Sequence, residues 1–228
     1  MTPPRTHCLI AAFIVLVAVT HAAKASADSA WIRSIAFAGG VSHRALPNMG
    51  DILPGDVPEP NGAIPSFGLM GYMERPSGYG FGLDLMYAAG SARGDDADVE
   101  WWDSTTLVVF GYAWRFGRFD IGPRFGGGTA TMQYVYRAKD DSSARDVLGA
   151  SNGSGSIDGV AFVVDGKLYA RWHFTGPRDE KSGFLGLVVG YSGSPFETDW
   201  RFFSRNVSGG PEHRYQSPYG LLTIGLEF

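Results

Sequence analysis

The sequence predicts an all-β fold, an eight-stranded antiparallel up-and-down transmembrane β-barrel. Three observations carry that expectation. Bulky apolar residues alternate with small or polar ones through segment after segment, the period of a strand with two unlike faces. Long and short connections alternate strictly along the chain. Charged residues make up only 18% of the chain, against about 25% in ordinary domains, and most of them lie between the alternating segments.

Composition removes the other classes. Glycine, 32 of 228 residues, is about twice its usual share, yet it keeps no three-residue period, so collagen is excluded. Aromatic residues at 14% argue against disorder. A net charge of −4 offers no electrostatic footprint for nucleic acid.

Residues 1–27 stand apart. Arg5 and His7 precede the apolar run Leu9 to Val19, and Ala25-Ser26-Ala27 places small residues at −3 and −1 of a cut before Asp28. This is the layout of a cleaved secretory signal peptide. The apolar run has 11 residues, too few for the ~20 a spanning helix needs. Cys8 follows Pro4-Arg5-Thr6-His7, which lacks the small apolar residues of a lipoprotein site. The expected mature chain, 28–228, is one barrel domain with 17 bases, 23 acids and no cysteine.

The strands fall at about 31–41, 64–74, 79–89, 104–116, 118–136, 157–175, 183–193 and 215–228. In the third, Tyr79, Phe81, Leu83, Leu85 and Tyr87 share one face, with Gly80, Gly82, Asp84, Met86 and Ala88 on the other. In the fourth, Thr106, Val108, Phe110, Tyr112, Trp114 and Phe116 oppose Arg115. In the last, Leu222, Ile224, Leu226 and Phe228 oppose Thr223, Gly225 and Glu227. Arg75-Pro76-Ser77-Gly78, Gly117-Arg118 and 176–182 are short turns punctuated by Pro and Gly. The connections near 42–63, 90–103, 137–156 and 194–214 are long. Short turns at one end and long loops at the other suit a barrel with short periplasmic and longer outer connections.

A soluble eight-stranded barrel of the lipocalin sort alternates too, but its bulky face points inward and its exterior is charged. Here the second face is mostly Gly, Ala, Ser and Thr with scattered charges, too weakly polar to solvate an exterior. Small residues inside and large apolar ones outside suit a narrow lumen surrounded by lipid. Aromatic residues collect at segment ends, as interfacial girdles do. Trp114, Phe116, Phe119, Trp172, Phe174 and Phe184 lie near the short turns; Tyr87, Trp101, Trp102, Tyr134, Tyr136, Tyr191 and Tyr219 lie toward the long loops.

Two segments carry a resemblance. Tyr219-Gly220-Leu221-Leu222-Thr223-Ile224-Gly225-Leu226-Glu227-Phe228 resembles the closing strand of bacterial outer-membrane barrels, and Phe119-Asp120-Ile121-Gly122-Pro123-Arg124-Phe125-Gly126-Gly127-Gly128 resembles a strand of the small OmpA-, OmpX- and OmpW-like barrels. The resemblance implies the outer membrane of a Gram-negative cell envelope. It also implies that the strand ending in Phe228 is the signal read by the barrel-assembly machinery.

Charges on the expected inner face are Glu74, Asp84, Asp120, Asp165 and Glu227 against Arg115, Arg124, Lys167 and Arg171. An eight-stranded barrel is just wide enough to be filled by side chains, and unpaired buried charges are costly. These residues are therefore expected to form an ion-paired plug weighted to the periplasmic half. No metal, cofactor or catalytic residue is expected. His173-Phe174-Thr175 is the nearest approach to a nucleophile and base on one strand face, but the His-x-Ser, Asn and Ala of the resembling lipid A deacylases do not follow. His43 and His213 lie in separate loops.

The loops would carry recognition. Asp95, Asp96, Asp98, Glu100 and Asp103 read as a solvated acidic loop, with divalent bridging to lipopolysaccharide phosphates as the sharper alternative. Arg93-Gly94-Asp95 spells an adhesion tripeptide, and Asn152-Gly153-Ser154 and Asn206-Val207-Ser208 match a eukaryotic sequon; such short matches carry little. Three roles stay open. The first is a monomeric envelope or surface-interaction protein contacting outer-membrane lipid and lipopolysaccharide. The second is an OmpW-like, porin-like narrow conduit, with Pro123 and Gly126–128 as a candidate side opening. The third is a lipid A-modifying enzyme.

Overall fold

The computed structural model describes residues 31–44, 62–139, 154–174, 181–202, 205–206 and 214–228. The signal segment with Cys8, Thr175, His213 and Asn152 lie outside these residues. The strands are β1 (Ile32–Arg44), β2 (Gly62–Glu74), β3 (Tyr79–Arg93), β4 (Ala97–Tyr112), β5 (Trp114–Phe116), β6 (Phe119–Ala138), β7 (Ser154–His173), β8 (Ser182–Gly193), β9 (Asp199–Phe202), β10 (Arg205–Asn206) and β11 (Gln216–Glu227). No helix occurs among the described residues.

Eight of these strands make a closed antiparallel ring. The order runs β1, β2, β3, β4, β6, β7, β8, β11, and β11 returns to β1 from Ser34↔Glu227 to Ser42↔Tyr219. β5 continues β4 along β6 after a break at Ala113. Closure leaves the ring without a free edge, the requirement for crossing lipid with strands. The exterior is apolar: Phe37, Phe110, Phe125, Leu168, Leu222, Ile224 and Leu226 are all more than half exposed. Bulky apolar side chains therefore point out, which excludes the lipocalin-like alternative.

The short-turn end follows from local chemistry. In Arg75 to Gly78, the Gly78 N–H donates to Arg75 O at 2.8 Å, and Gly78 takes φ 100°, which favours glycine. Gly117, at φ 58°, opens the two-residue hairpin that joins Phe116 to Phe119.

The opposite end departs from expectation. Residues 90–103 are not a long loop: β3 and β4 pair out to Arg93↔Asp98 and turn through Gly94-Asp95-Asp96. Beyond the bilayer both faces of a hairpin can be polar, so the strand loses the alternation that marks it in sequence. β6 and β7 likewise pair out to Arg137↔Ser154. The 194–214 connection contains β9 and β10, with β9 taking over as neighbour of β7 at Ile157 to Val160.

The glycine-rich stretch of β6 is neither bulged nor open. Gly126, Gly127 and Gly128 pair with Val109, Val108 and Leu107 of β4 and with Asp165, Val164 and Val163 of β7. A Cβ at Gly128 would sit 1.9 Å from Thr106 O, so glycine here permits close strand approach.

Candidate functional site

The lumen is filled, and not mainly by small residues. Met70, Tyr72, Trp101, Leu107, Met132, Tyr134, Tyr136, Tyr169, Phe184 and Leu221 are all buried. Trp101, Tyr134, Tyr136, Tyr219 and Phe184, expected in the girdles, therefore point inward instead. They sit on the inner parity of their strands, and proximity to a strand end does not decide which face a ring occupies. Trp114, Phe116, Phe119, Trp172 and Tyr191 are exposed, as girdle residues would be.

Glycine makes room for these large side chains. A Cβ at Gly82 would lie 2.2 Å from the Tyr72 ring, one at Gly111 would lie 2.5 Å from Arg124 Cγ, and one at Gly190 would lie 2.5 Å from Tyr219. Large residues thus face small ones across neighbouring strands, which is how a narrow barrel packs.

All nine charged residues singled out from the sequence point inward. Glu74, Asp84, Asp120, Arg124, Asp165, Lys167, Arg171 and Glu227 are buried, and Arg115 is partly so. Eight of them form two clusters, and Glu227 stands apart from both. Nearer the short turns, Glu74 accepts from Arg124 at 2.6 Å, Arg171 at 2.7 Å and Arg115 at 3.3 Å. Arg171 also reaches Asp120 at 3.3 Å, helped by the direct Asp120↔Arg171 pairing of β6 and β7.

Higher in the barrel, Lys167 donates to Asp84 and forms an ion pair with Asp165 Oδ1 at 2.8 Å. Tyr72 donates to Asp84, and Asp165 accepts from Ser192 and Tyr219, each at 2.7 Å. Arg124 connects the clusters, its guanidinium lying 3.4 Å from the Tyr72 ring centroid and 3.7 Å from that of Tyr169.

Sequence reasoning missed several members. Tyr72 and Tyr169 lie two residues from Glu74 and from both Lys167 and Arg171, on the same faces, so strict alternation would have found them. Asp103, assigned to the acidic loop, is buried in the lumen. Asp98 and Glu100 lie instead on β4, where Lys139 approaches Asp98 at 3.7 Å and Arg137 approaches Glu100 at 3.2 Å.

A third arrangement was not legible at all. His173 Nε2 lies 3.0 Å from Asp120 Oδ2, and His173 Nδ1 lies 2.9 Å from Ser182 Oγ. The three residues come from β7, β6 and β8. Strand pairing brings them together at the short-turn end, a juxtaposition that spacing in the chain does not encode.

A void of about 20 Å³, lined by Ser42, Ser66, Thr105, Ser192, Tyr215 and Tyr219 among others, is room for about one water. A larger cleft of about 390 Å³ lies outside the plug, against Phe174, Ser182, Glu227 and Phe228.

A closed antiparallel barrel with an apolar exterior and a filled polar lumen defines the class of small eight-stranded outer-membrane barrels, and the outer membrane is where such a surface belongs. No family model matches the chain, and no curated protein matches it. Among solved structures, it is similar to a major outer membrane protein from Thermus thermophilus. The two share 12% identity and a TM-score of 0.53 over 88% of this chain and 99% of that one. It also aligns with Ail, the attachment invasion locus protein of Yersinia pestis, at 12% identity and TM-score 0.48 over 88% of this chain and all of that one. A third alignment is with the outer membrane protease OmpT from Escherichia coli, at 9% identity and TM-score 0.39 over 87% and 96%. Fold alone assigns none of these activities.

Proposed function

We propose that this chain is a non-enzymatic envelope protein, a monomeric barrel whose outer extensions meet lipopolysaccharide and the cell's surroundings. The observation that carries the reading is the filled lumen. Eight of the nine charged residues singled out in it are cross-paired, the ring is hydrogen-bonded all round among the described residues, and the cavity among the lumen side chains, about 20 Å³, has room for about one water. A conduit would instead line a wider path or carry charges of one sign. Chemistry with partners is then left to the outer end, where the β3–β4 hairpin places Asp95, Asp96, Asp98 and Glu100 beyond the apolar band. Outer-membrane lipid surrounds the apolar band, and the strand ending in Phe228 serves the assembly machinery.

Lipopolysaccharide capture tests this reading. The barrel, refolded in vesicles that mix phospholipid with lipopolysaccharide, is extracted in mild detergent and its bound lipid is weighed. Lipopolysaccharide is expected to be enriched over the bulk mixture. Shortening 90–103 to a tight turn should abolish the enrichment while heat-modifiable migration persists. Equal enrichment in both proteins would contradict a role for the outer hairpin.

A further inference from the structure

Glu227 is the one buried lumen carboxylate without a hydrogen bond or ion pair among the described residues. It is 3% exposed, it ends β11 on the inner face, and it lines the 390 Å³ cleft at the short-turn rim. The charges of Arg171 and His173 reach it only from beyond ion-pair distance, and a buried carboxylate without a direct contact is costly. Beside it stand Asp120 and His173, both buried, and one ligand atom from each of the three residues lies within 4.8 Å of the others. Ser182 and Glu227 open on the cleft between Phe174, Lys181, Leu226 and Phe228.

We propose that Asp120, His173 and Glu227 form a binding site for one first-row divalent metal ion, of which Zn²⁺ is the test case. One imidazole and two carboxylates are ligands of the right hardness for such ions. His173 Nε2 and Asp120 Oδ2, 3.0 Å apart, already have the separation of neighbouring ligands whose metal bonds are about 2.1 Å. Glu227 has a flexible side chain and closes the set by a small movement. Its place on the cleft leaves an entry path from the periplasmic rim and room for water as a further ligand.

The surroundings fit. A metal-bound histidine needs its other nitrogen oriented by a partner, and Ser182 Oγ stands 2.9 Å from Nδ1, able to accept its proton. Arg171, held by Glu74 at 2.7 Å, also donates to the same Asp120 oxygen at 3.3 Å, so its guanidinium borders the site and Asp120 would bind the ion through its remaining lone pair.

The same Ser182, His173 and Asp120 also have the connectivity of a hydrolytic triad. One observation favours the metal: the triad leaves Glu227, which lies beside Asp120 and His173, without a role.

The test uses the full barrel, folded in detergent after chelator treatment and free of any histidine tag. Zn²⁺ is titrated by calorimetry, and Co²⁺ by its visible d–d absorption. One saturable site is expected, with H173Q abolishing the Co²⁺ band. E227Q and S182A should each weaken binding by at least about tenfold, as for the loss of a ligand or its orienting partner. E227Q removes no hydrogen bond, so its folding, read by heat-modifiable migration, stays intact. Absence of a site in the wild type, or affinities unchanged in H173Q and E227Q, would overturn the proposal. So would covalent labelling of Ser182 by a fluorophosphonate in the metal-free protein, which would assign the triad instead.

Discussion

Charges sit in two unlike settings in this barrel. In the lumen, Lys167 and Asp84 are essentially sealed from solvent, and each holds more than one partner. On the outer extension, Arg137 and Glu100 pair at 3.2 Å with their side chains about half exposed, and Lys139 lies 3.7 Å from Asp98 with both similarly open. Both regions show ion pairs between strands, yet their energetics differ. An exposed pair gains little over its hydration and is screened by salt. A buried network has no water to fall back on, so losing one member leaves the others uncompensated. The lumen charges therefore hold the plug together, while the outer charges mainly keep the extension wetted.

Substitutions can break that contrast, in descending order of effect. Asp84→Ala leaves Lys167 with only Asp165 and removes the acceptor of Tyr72. It should cost about 3–5 kcal/mol in urea-gradient refolding into vesicles. Leu222→Arg challenges the other side of the wall. Leu222 is 70% exposed to lipid midway along β11, and a charge near the bilayer midplane should cost about 2–4 kcal/mol in the same assay. Gly122→Ala places a Cβ 1.7 Å from Tyr112 O. The strands must part there, at roughly 1–3 kcal/mol, and amide-exchange protection of β4 and β6 should be lost first. Glu100→Gln on the outer hairpin should move stability by less than about 0.5 kcal/mol, and raising the salt concentration should remove even that. If Glu100→Gln cost as much as Asp84→Ala, the distinction between the two regions would fail.

How much was legible in the sequence follows the same division. Inside the bilayer, lipid on one face and packed side chains on the other force a strict two-residue period, so β3, β4 and β11 could be read with the correct face outward. The parity that placed Asp84, Lys167 and Arg171 inward also contained Tyr72 and Tyr169. Charge alone does not mark these rings, and nearness to a strand end does not say which face a ring occupies. Beyond the bilayer both faces meet water and the period fades, so the extension of β3 and β4 through Arg93 and Ala97 looked like a loop. The Asp120–His173–Ser182 contact depends on how β6, β7 and β8 are staggered. Side-chain period does not carry that stagger.

The central claim is that the lumen is a filled, cross-paired plug. Planar-bilayer recording of the refolded wild-type barrel tests it most directly, with Asp84→Ala run alongside. The wild type is expected to show no steady conductance, and Asp84→Ala to show at most brief, irregular openings as its plug loosens. A steady large conductance through the wild-type protein would contradict the account.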